Sequence, residues 1–250
     1  MLTNISHLSL AVARAEFKLK NEGSYLGILW YLLNPLLMFL LLLGIFSYSL
    51  GQSIERYPLY LLVGIILFNL FRTITVEATK TIYQNRLIIK SVAFPLENLI
   101  AALVLKNLYS HIFEFIVLFG FLLFYKISLT YILFYPLLVV LICLFSYGIA
   151  LCLSALAVFV MDLDNIWTFG VQLLWFATPI FYTIDEHPVL FACNLLNPMY
   201  YFITVGRELL IYNTLPSFWL ILGALIHTVV WFLLGIKLFK KFQNKFAELI

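Results

Sequence analysis

Side chains able to perform chemistry are few in this sequence, and most of them stand alone. His111 and Glu114 are one helical turn apart in an apolar stretch, but a metal or acid–base site would need further such groups on facing helices. We interpret this pair as a structural hydrogen bond. Asp162 and Asp164, at a polar break, are typical of helix capping and loop solvation rather than Mg²⁺ coordination. The sequence therefore predicts no catalytic residue and no metal ligand.

Nucleotide and thiol chemistry find equally little support. No phosphate loop of the form G-x-x-x-x-G-K-[ST] occurs in the 250 residues, so the chain does not use ATP by that route. Cys143, Cys152 and Cys193 have neither a disulfide nor a metal-ligand spacing, and we interpret them as small apolar residues. No cofactor is expected on this chain, so its function depends on the elements that carry the remaining polar groups.

Composition identifies an integral membrane protein. Hydrophobic residues make up 64%, charged residues only 11%, and the mean hydropathy is +1.04, far from the averages of soluble domains. The apolar runs are long enough for helices of about 20 residues, whereas a barrel would show alternating strands of about 10. No cleavable signal peptide is apparent at the start. The predicted fold class is all-α, with a single transmembrane domain over residues 1–250.

We predict six transmembrane helices, preceded by an amphipathic helix over residues 1–22 that lies on the membrane surface. The predicted spans are 27–50, 58–76, 107–125, 130–161, 166–184 and 216–239. A mixed region over 77–106 separates the second and third spans, and residues 240–250 form a basic tail. Both termini are expected in the cytoplasm, because twelve of the 15 Lys and Arg residues then lie on that side.

The tetrapeptide LLNP occurs at 32–35 and again at 195–198, and helix-length arithmetic predicts different roles for the two copies. A helix that began at Pro35 would be ~24 Å long before the next turn, short of the ~30 Å hydrocarbon core. Pro35 should therefore lie inside the first span and kink it. Around Asn197 and Pro198, two half-length helices should form a re-entrant pair over 185–215, beside a conduit.

Aromatic residues, 18% of the chain, are concentrated around the fifth span and the re-entrant segment. They either anchor the protein in the membrane interface or line the path of a sugar chain. Arg207 and Glu208 either face a polar interior or lie in the outer headgroup layer. The predicted channel or gate residues are Asn34, Pro35, Trp175, Phe181, Tyr182, Asn197, Pro198, Tyr200 and Arg207.

Several stretches, in order along nearly the whole chain, resemble the permease subunits of ABC exporters that move polysaccharides, namely O-antigen, capsule and teichoic acid. The stretches are GSYLGILW at 23–30 with LNP at 33–35, residues 85–95, Val158-Phe159, QLLWFATPIFY at 172–182, and NPMY at 197–200 with Arg207. One departure is Val160-Met161-Asp162, where the family often has aromatic-Arg-Asp. No role of that arginine is carried over to this chain.

The resemblance implies a transport subunit, not an enzyme, that works as a homodimer with two copies of a separate ATPase, which binds ATP and Mg²⁺. It also implies gate helices before the last span and coupling to the ATPase through Asn85, Arg86, Leu87, Ile88 and Lys90. The expected cargo is a lipid-linked polysaccharide, O-antigen first, carried from the cytoplasm across the inner membrane. Arg14, Lys18 and Arg86 are expected to attract its phosphates at the entrance.

Other interpretations stay open at this point. Capsule polysaccharide, teichoic acid, or a small hydrophobic drug or lipid would suit a permease of the same fold. A membrane-embedded transferase acting on a lipid-linked sugar belongs to a different class and would need an essential carboxylate or histidine. Membrane lipids are expected partners, and nucleic acid is not.

Overall fold

A computed structural model describes residues 29–48, 54–91, 95–184 and 187–246. The regular elements of these residues are all helical, and the helices are α1 (Leu29–Phe46), α2 (Tyr57–Gln84), α3 (Arg86–Ser91), α4 (Glu97–Phe124), α5 (Tyr135–Ala157), α6 (Leu163–Ala177), α7 (Pro188–Asn194), α8 (Pro198–Arg207) and α9 (Phe218–Phe242). The 3₁₀ turns Ile132–Phe134 and Gln243–Lys245 flank α5 and α9, and a π-helical turn, Glu208–Tyr212, continues α8. The predicted all-α class is confirmed for this part of the chain. The expected surface helix over 1–22, with Arg14 and Lys18, lies outside the described residues.

Four helical stretches among the described residues are long and apolar enough to cross a membrane: Tyr57–Gln84, Glu97–Phe124, Ile132–Ala157 and Phe218–Lys245. The bent pair of α7 and α8, at 103°, would add a fifth if it formed one span. α6 has only 15 residues, and the apolar part of α1 is the shorter stretch Leu33–Phe46. The chain is a multi-pass membrane protein with four or five candidate spans in these residues, where six were predicted.

The helix boundaries refine the sequence prediction for the region between the second and third predicted spans. α2 continues to Gln84 and α4 begins at Glu97, so the predicted mixed region 77–106 is helical over most of its length. Polar residues of α2 and α4 pair across the interface of these two helices, since Asn107 donates a hydrogen bond to Glu77 at 3.0 Å. The two spans on either side of this region are therefore longer as helices than the apolar runs that predicted them.

The helix within the predicted fifth span is shorter than that span. α6 ends at Ala177 rather than near residue 184, and Thr178 has extended backbone angles, φ −83° and ψ 136°. Pro179 accounts for this end, because its ring disfavours a helical residue before it and it has no N–H to donate. The predicted fourth span is likewise shorter, since α5 covers Tyr135–Ala157. Beyond α6 the chain leaves carbonyl groups that a helix would have satisfied.

The two LLNP copies lie where they were predicted relative to the helices, while the kink at Pro35 and the re-entrant path at Pro198 stay predictions. Pro35 lies inside α1, which begins before it at Leu29. Pro198 is at the start of α8, and the side-chain oxygen of Asn197 accepts a hydrogen bond from the Met199 N–H at 3.0 Å. Asn before a proline at the first helical turn is a favourable N-terminal cap. The break between α7 and α8 is therefore specified by local sequence.

α2 is the central helix of the described fold. It contacts α1, α4, α5, α6 and α8. Of the residues in its most apolar 18-residue stretch, 78% are buried. A ladder of rings joins it to α5 and α8, with ring centres 5.5 Å apart for Phe71 and Phe145 and 5.2 Å apart for Phe145 and Phe202. A helix surrounded by other helices is apolar on most of its circumference, so its few polar residues mark where it faces something else.

α5 and α9 touch through their backbones. A Cβ atom added to Gly235 would overlap the carbonyl oxygen of Gly148, and one added to Gly148 would overlap the Trp231 carbonyl. Small residues allow this approach between membrane helices, where van der Waals packing drives association. The two glycines therefore set the distance between α5 and α9.

Candidate functional site

A cavity of about 660 Å³ lies between α1, α2 and α6. α2 presents its polar face here, with Asn69, Arg72, Thr73 and Glu77 at the spacing of one helix side. α1 and α6 add polar and aromatic groups. The lining residues are Asn34, Pro35, Met38, Ile65, Phe68, Asn69, Arg72, Thr73, Val76, Glu77, Val171, Gln172, Trp175 and Phe176. The cavity joins three of the predicted channel residues, namely Asn34, Pro35 and Trp175.

The charges that line the cavity are not balanced. Glu77 is held by Lys106 of α4, at 3.0 Å between Oε2 and Nζ, and by the Asn107 amide, also at 3.0 Å. Arg72 is exposed, and within the described residues its guanidinium group has no hydrogen bond or ion pair. Because Lys106 neutralises the Glu77 carboxylate from the α4 side of α2, the net charge of the cavity lining is the positive charge of Arg72.

A chain of buried polar groups lies behind the cavity wall. Asn69 donates to Oε1 of Glu114. Glu114 Oε2 lies 3.2 Å from Nδ1 of His111, whose Nε2 lies 2.9 Å from the Tyr135 hydroxyl. The predicted structural hydrogen bond between His111 and Glu114 is confirmed. Buried polar groups are costly unless they are partnered. This series of hydrogen bonds therefore fixes the Asn69 side chain at the cavity wall.

Next to the C-terminal end of α6, Arg207 holds three backbone carbonyl groups together, and we call this arrangement the Arg207 clamp. Only 4% exposed, it donates from Nη1 to the Pro179 carbonyl and from Nη2 to the Ile180 carbonyl, both at 2.8 Å, and from Nε to the Tyr60 carbonyl at 3.2 Å. Its guanidinium carbon lies 3.3 Å from the centre of the Tyr60 ring. Arg207 is thus buried among protein groups, and it satisfies carbonyls freed where α6 ends.

The space for this clamp depends on Gly64. A Cβ there would lie 3.0 Å from Nη2 of Arg207 and 3.1 Å from Cγ2 of Ile180. The start of α8 is held to the same segment, because Asn197 donates to Oγ1 of Thr178 at 2.9 Å. Both ends of α8 therefore bind the extended chain that follows α6.

Two tyrosines and an arginine at the start of α2 complete these contacts. Tyr57 donates to the Phe181 carbonyl at 3.1 Å, and Tyr60 donates to the Tyr182 carbonyl at 2.8 Å. Arg56 donates to the Ile211 carbonyl at 2.8 Å. The chain that precedes α7 and the chain that follows α8 therefore meet the same end of α2.

Aromatic rings separate the cavity from the clamp. Trp175, in the cavity wall, has its ring centre 5.5 Å from that of Phe181, which stacks on Phe46 at 5.1 Å. The Tyr182 hydroxyl donates back to the Ala177 carbonyl at 2.9 Å. Of the predicted gate residues, Tyr200 lies apart, with its ring 5.4 Å from that of Tyr201, and it does not line the cavity.

The predicted coupling residues lie at the far end of α2. Asn85 caps α2, and α3 follows at once with Arg86, Leu87 and Lys90 exposed; the side chain of Ile88 lies outside the described residues. Just before this end, Asp164 of α6 accepts from Oγ1 of Thr79 and pairs with Nζ of Lys80, each at 3.0 Å. The helix that leads into α3 is thus bonded to the first turn of α6.

Comparison with known proteins places these features in a family. The profile of the family described as ABC-2 type transporter matches residues 8–211. The chain belongs to the ABC-2 type transporter family. Two Klebsiella pneumoniae proteins are 27% and 26% identical to this ABC-2 transporter over 249 residues, and a Myxococcus xanthus protein is 26% identical over 247. Each match covers 97% of this chain and 95% of the relative, and each relative is named O-antigen export system permease protein RfbA.

Family membership confirms the predicted transport role of this ABC-2 transporter, as opposed to an enzymatic one. Sequence reasoning nevertheless missed Asn69, Arg72 and Gln172 as cavity residues, and Asp164 as a bridge. Arg72 was counted among the cytoplasmic charges, although it lies twelve residues before the end of α2. The signal that could have found the cavity is the spacing of Asn69, Arg72, Thr73 and Glu77 on one helical face.

Proposed function

We propose that this chain is the permease subunit of an ATP-driven exporter that moves a lipid-linked polysaccharide, O-antigen first, out of the cytoplasm across the inner membrane. The observation that carries the proposal is the end-to-end match to proteins named as O-antigen export permeases, 97% of this chain and 95% of theirs. The polar and aromatic cavity between α1, α2 and α6 supports it, because a glycan needs a conduit that is not purely apolar.

The driving ATPase is a separate chain that docks at α3 and holds the ATP and Mg²⁺. Exposed Arg86, Leu87 and Lys90 support this role for α3. Movement of α3 passes to α2 through the Asn85 cap and to α6 through Asp164. In this mechanism the two walls of the cavity shift together, while Arg86, with Arg14 and Lys18, attracts the phosphates of the cargo.

A second copy of the chain completes the conduit in this proposal. The large apolar side chains Leu40 and Leu41 of α1 and Phe169 and Leu173 of α6 are more than half exposed, at 57%, 55%, 63% and 54%. They lie on the two helices that border the open cavity, which supports a homodimer with two ATPase copies. The inner-membrane location and the cytoplasmic termini belong to the same proposal.

We propose that α1 and α6 also cross the membrane, which gives six spans and leaves both termini on one side. For α6 the contacts support this despite its 15 helical residues. Its first turn is bonded to Lys80, whereas the extended chain after it reaches Tyr60. Twenty residues of α2 separate these two positions, which corresponds to ~30 Å, the thickness of the hydrocarbon core. Buried non-helical backbone at that depth is tolerated because Arg207 and the tyrosines satisfy its carbonyls.

For α7 and α8 we propose a re-entrant pair on the outer side. The segments before and after the pair both contact the start of α2, through Tyr60 and through Arg56. A single span would instead have its two ends on opposite faces of the membrane. The pair therefore enters and leaves by the same face and brings the Arg207 clamp over the outer end of the cavity.

Cysteine labelling tests this topology. In a variant with Cys143, Cys152 and Cys193 replaced by serine, single cysteines are introduced at Val189 before the bend and Leu215 after it, which are 76% and 64% exposed. We expect a membrane-impermeant maleimide applied from outside intact cells to label both. Labelling of one position from each side would show that α7 and α8 form a crossing span instead.

Deletion of the gene tests the proposed function. We expect surface polysaccharide to be lost and completed glycan to accumulate in the cytoplasm on its lipid carrier, because synthesis continues while transport stops. The measurement is immunoblotting of surface glycan together with mass spectrometry of the lipid-linked pool. Normal surface glycan in a strain without a second exporter would contradict the proposal, and complementation with the intact gene is the control.

A further inference from the structure

We propose that Arg72, together with Asn34 and Gln172, forms a binding site at membrane depth for a phosphate group carried on a lipid. The inference rests on the proposed function for the identity of the cargo and adds where its charged end is held. It differs from the cytoplasmic attraction assigned to Arg86, because Arg72 lies within the membrane-crossing part of α2.

The depth of Arg72 follows from its position in α2. It lies fifteen residues after Tyr57 in a helix of 28 residues, or ~22 Å along an axis of ~42 Å. A charged side chain at such a depth is costly unless it faces a polar interior and a partner of opposite charge. Arg72 does line the cavity, but in the described part of the chain it has no such partner.

The acid in the cavity lining does not supply that partner. Glu77 is engaged by Lys106 and Asn107, both at 3.0 Å, on the α4 side of α2. A guanidinium group left unpaired beside a neutralised carboxylate favours an anion from outside the chain. Arginine presents a planar fork of donors that binds phosphate oxygens in pairs.

Two further donors face the same space from the other walls. Asn34 of α1 and Gln172 of α6 are exposed in the cavity, and neither side chain has a hydrogen-bond partner among the described residues. Their amide groups donate N–H bonds, as a phosphate with several acceptor oxygens requires. Three helices thus contribute donors to one cavity, which suits an anion with several acceptor oxygens.

The phosphate has two possible sources, the pyrophosphate of a polyprenyl-linked cargo and the headgroup of a membrane phospholipid. Binding is tested on the permease with its ATPase in nanodiscs, with fluorescent polyprenyl pyrophosphate as the probe. We expect Arg72→Gln to weaken binding by about tenfold and Arg72→Lys to weaken it less, since lysine keeps the charge but loses the fork. Lys237→Gln, an equal charge loss at an exposed position of α9, should leave binding unchanged.

Competitors identify the source. Excess polyprenyl pyrophosphate should displace the probe, polyprenol without phosphate should not, and displacement by phosphatidylglycerol would assign the site to headgroups while keeping its phosphate chemistry. Wild-type affinity in Arg72→Gln would overturn the proposal. Should that variant fail to fold by size-exclusion chromatography, the double variant Asn34→Ala, Gln172→Ala must weaken binding, and unchanged affinity there would equally overturn it.

The two proposals fail in different assays. Arg72-dependent binding in a protein whose deletion leaves surface glycan intact would reject polysaccharide export and retain the phosphate site. Loss of surface glycan on deletion, with Arg72→Gln binding the probe normally, would reject the site and retain the export function.

Discussion

Replacement of Arg207 by glutamine should remove both transport and most of the folded protein. The change leaves carbonyls of Tyr60, Pro179 and Ile180 without a charged donor in a buried place, and each such loss costs about 1–3 kcal/mol. Contact with the Tyr60 ring, at 3.3 Å, is lost as well, worth about 2 kcal/mol when desolvated. Since native proteins have only about 5–15 kcal/mol of stability, we expect a large fall in thermal midpoint and yield.

Arg207→Lys separates charge from geometry. Lysine carries the same charge on a single ammonium group, which cannot satisfy three carbonyls of different direction while stacking on a ring. We expect it to recover part of the folded yield but not the wild-type rate of export. Arg72→Gln is the matched control for folding, because it removes an arginine that has no bond within the described residues. A thermal midpoint for Arg207→Gln equal to that of the control would contradict the clamp.

The second large effect is expected at Asp164, and it concerns coupling rather than stability. Its pairing with Lys80 is partly exposed, at 27% and 52%, and such pairs contribute little to folding. The pair of Asp164 and Lys80 nevertheless connects the end of α2 to the first turn of α6. For Asp164→Ala we expect export to fall by about fivefold, equivalent to ~1 kcal/mol of coupling, while the partner ATPase continues to hydrolyse ATP.

The controls for this prediction use neighbouring residues. Asp162→Asn changes an exposed carboxylate two residues earlier that has no partner among the described residues, and it should leave the ratio of export to ATP hydrolysis unchanged. The charge exchange Lys80→Asp with Asp164→Lys should restore part of the lost export. Equal ratios for Asp164→Ala and Asp162→Asn would show that this bridge transmits nothing.

Local sequence rules predicted some of this molecule well. Asn197 and Pro198 cap and start α8 as their chemistry requires, and Pro35 lies inside α1, where helix-length arithmetic predicted it. In both cases the deciding physics acts within one or two helical turns. Such features are readable from one sequence.

The rest depended on which helix packs against which. The end of α6 at Ala177 was missed although Pro179 signals it, because the apolar run continues beyond that proline. That Arg207, thirty residues after Ala177, would satisfy the freed carbonyls gave no local signal. The second span was expected to end at Val76 because Glu77 begins a mixed region, whereas in the structure Glu77 pairs with Lys106 and α2 continues. The cavity needed three helices to be placed together, so its residues followed from helical spacing only once α2 was known to be continuous.

The backbone contact between Gly148 and Gly235 has a mechanical consequence. Where helices meet through side chains, rotamer changes absorb small sliding motions, but two backbones in contact have no such play. We therefore expect α5 and α9 to move together as one rigid unit. Under the proposed docking of the ATPase at α3, we expect its motion to appear as rotation or tilt of α1 and α6 relative to α5 and α9.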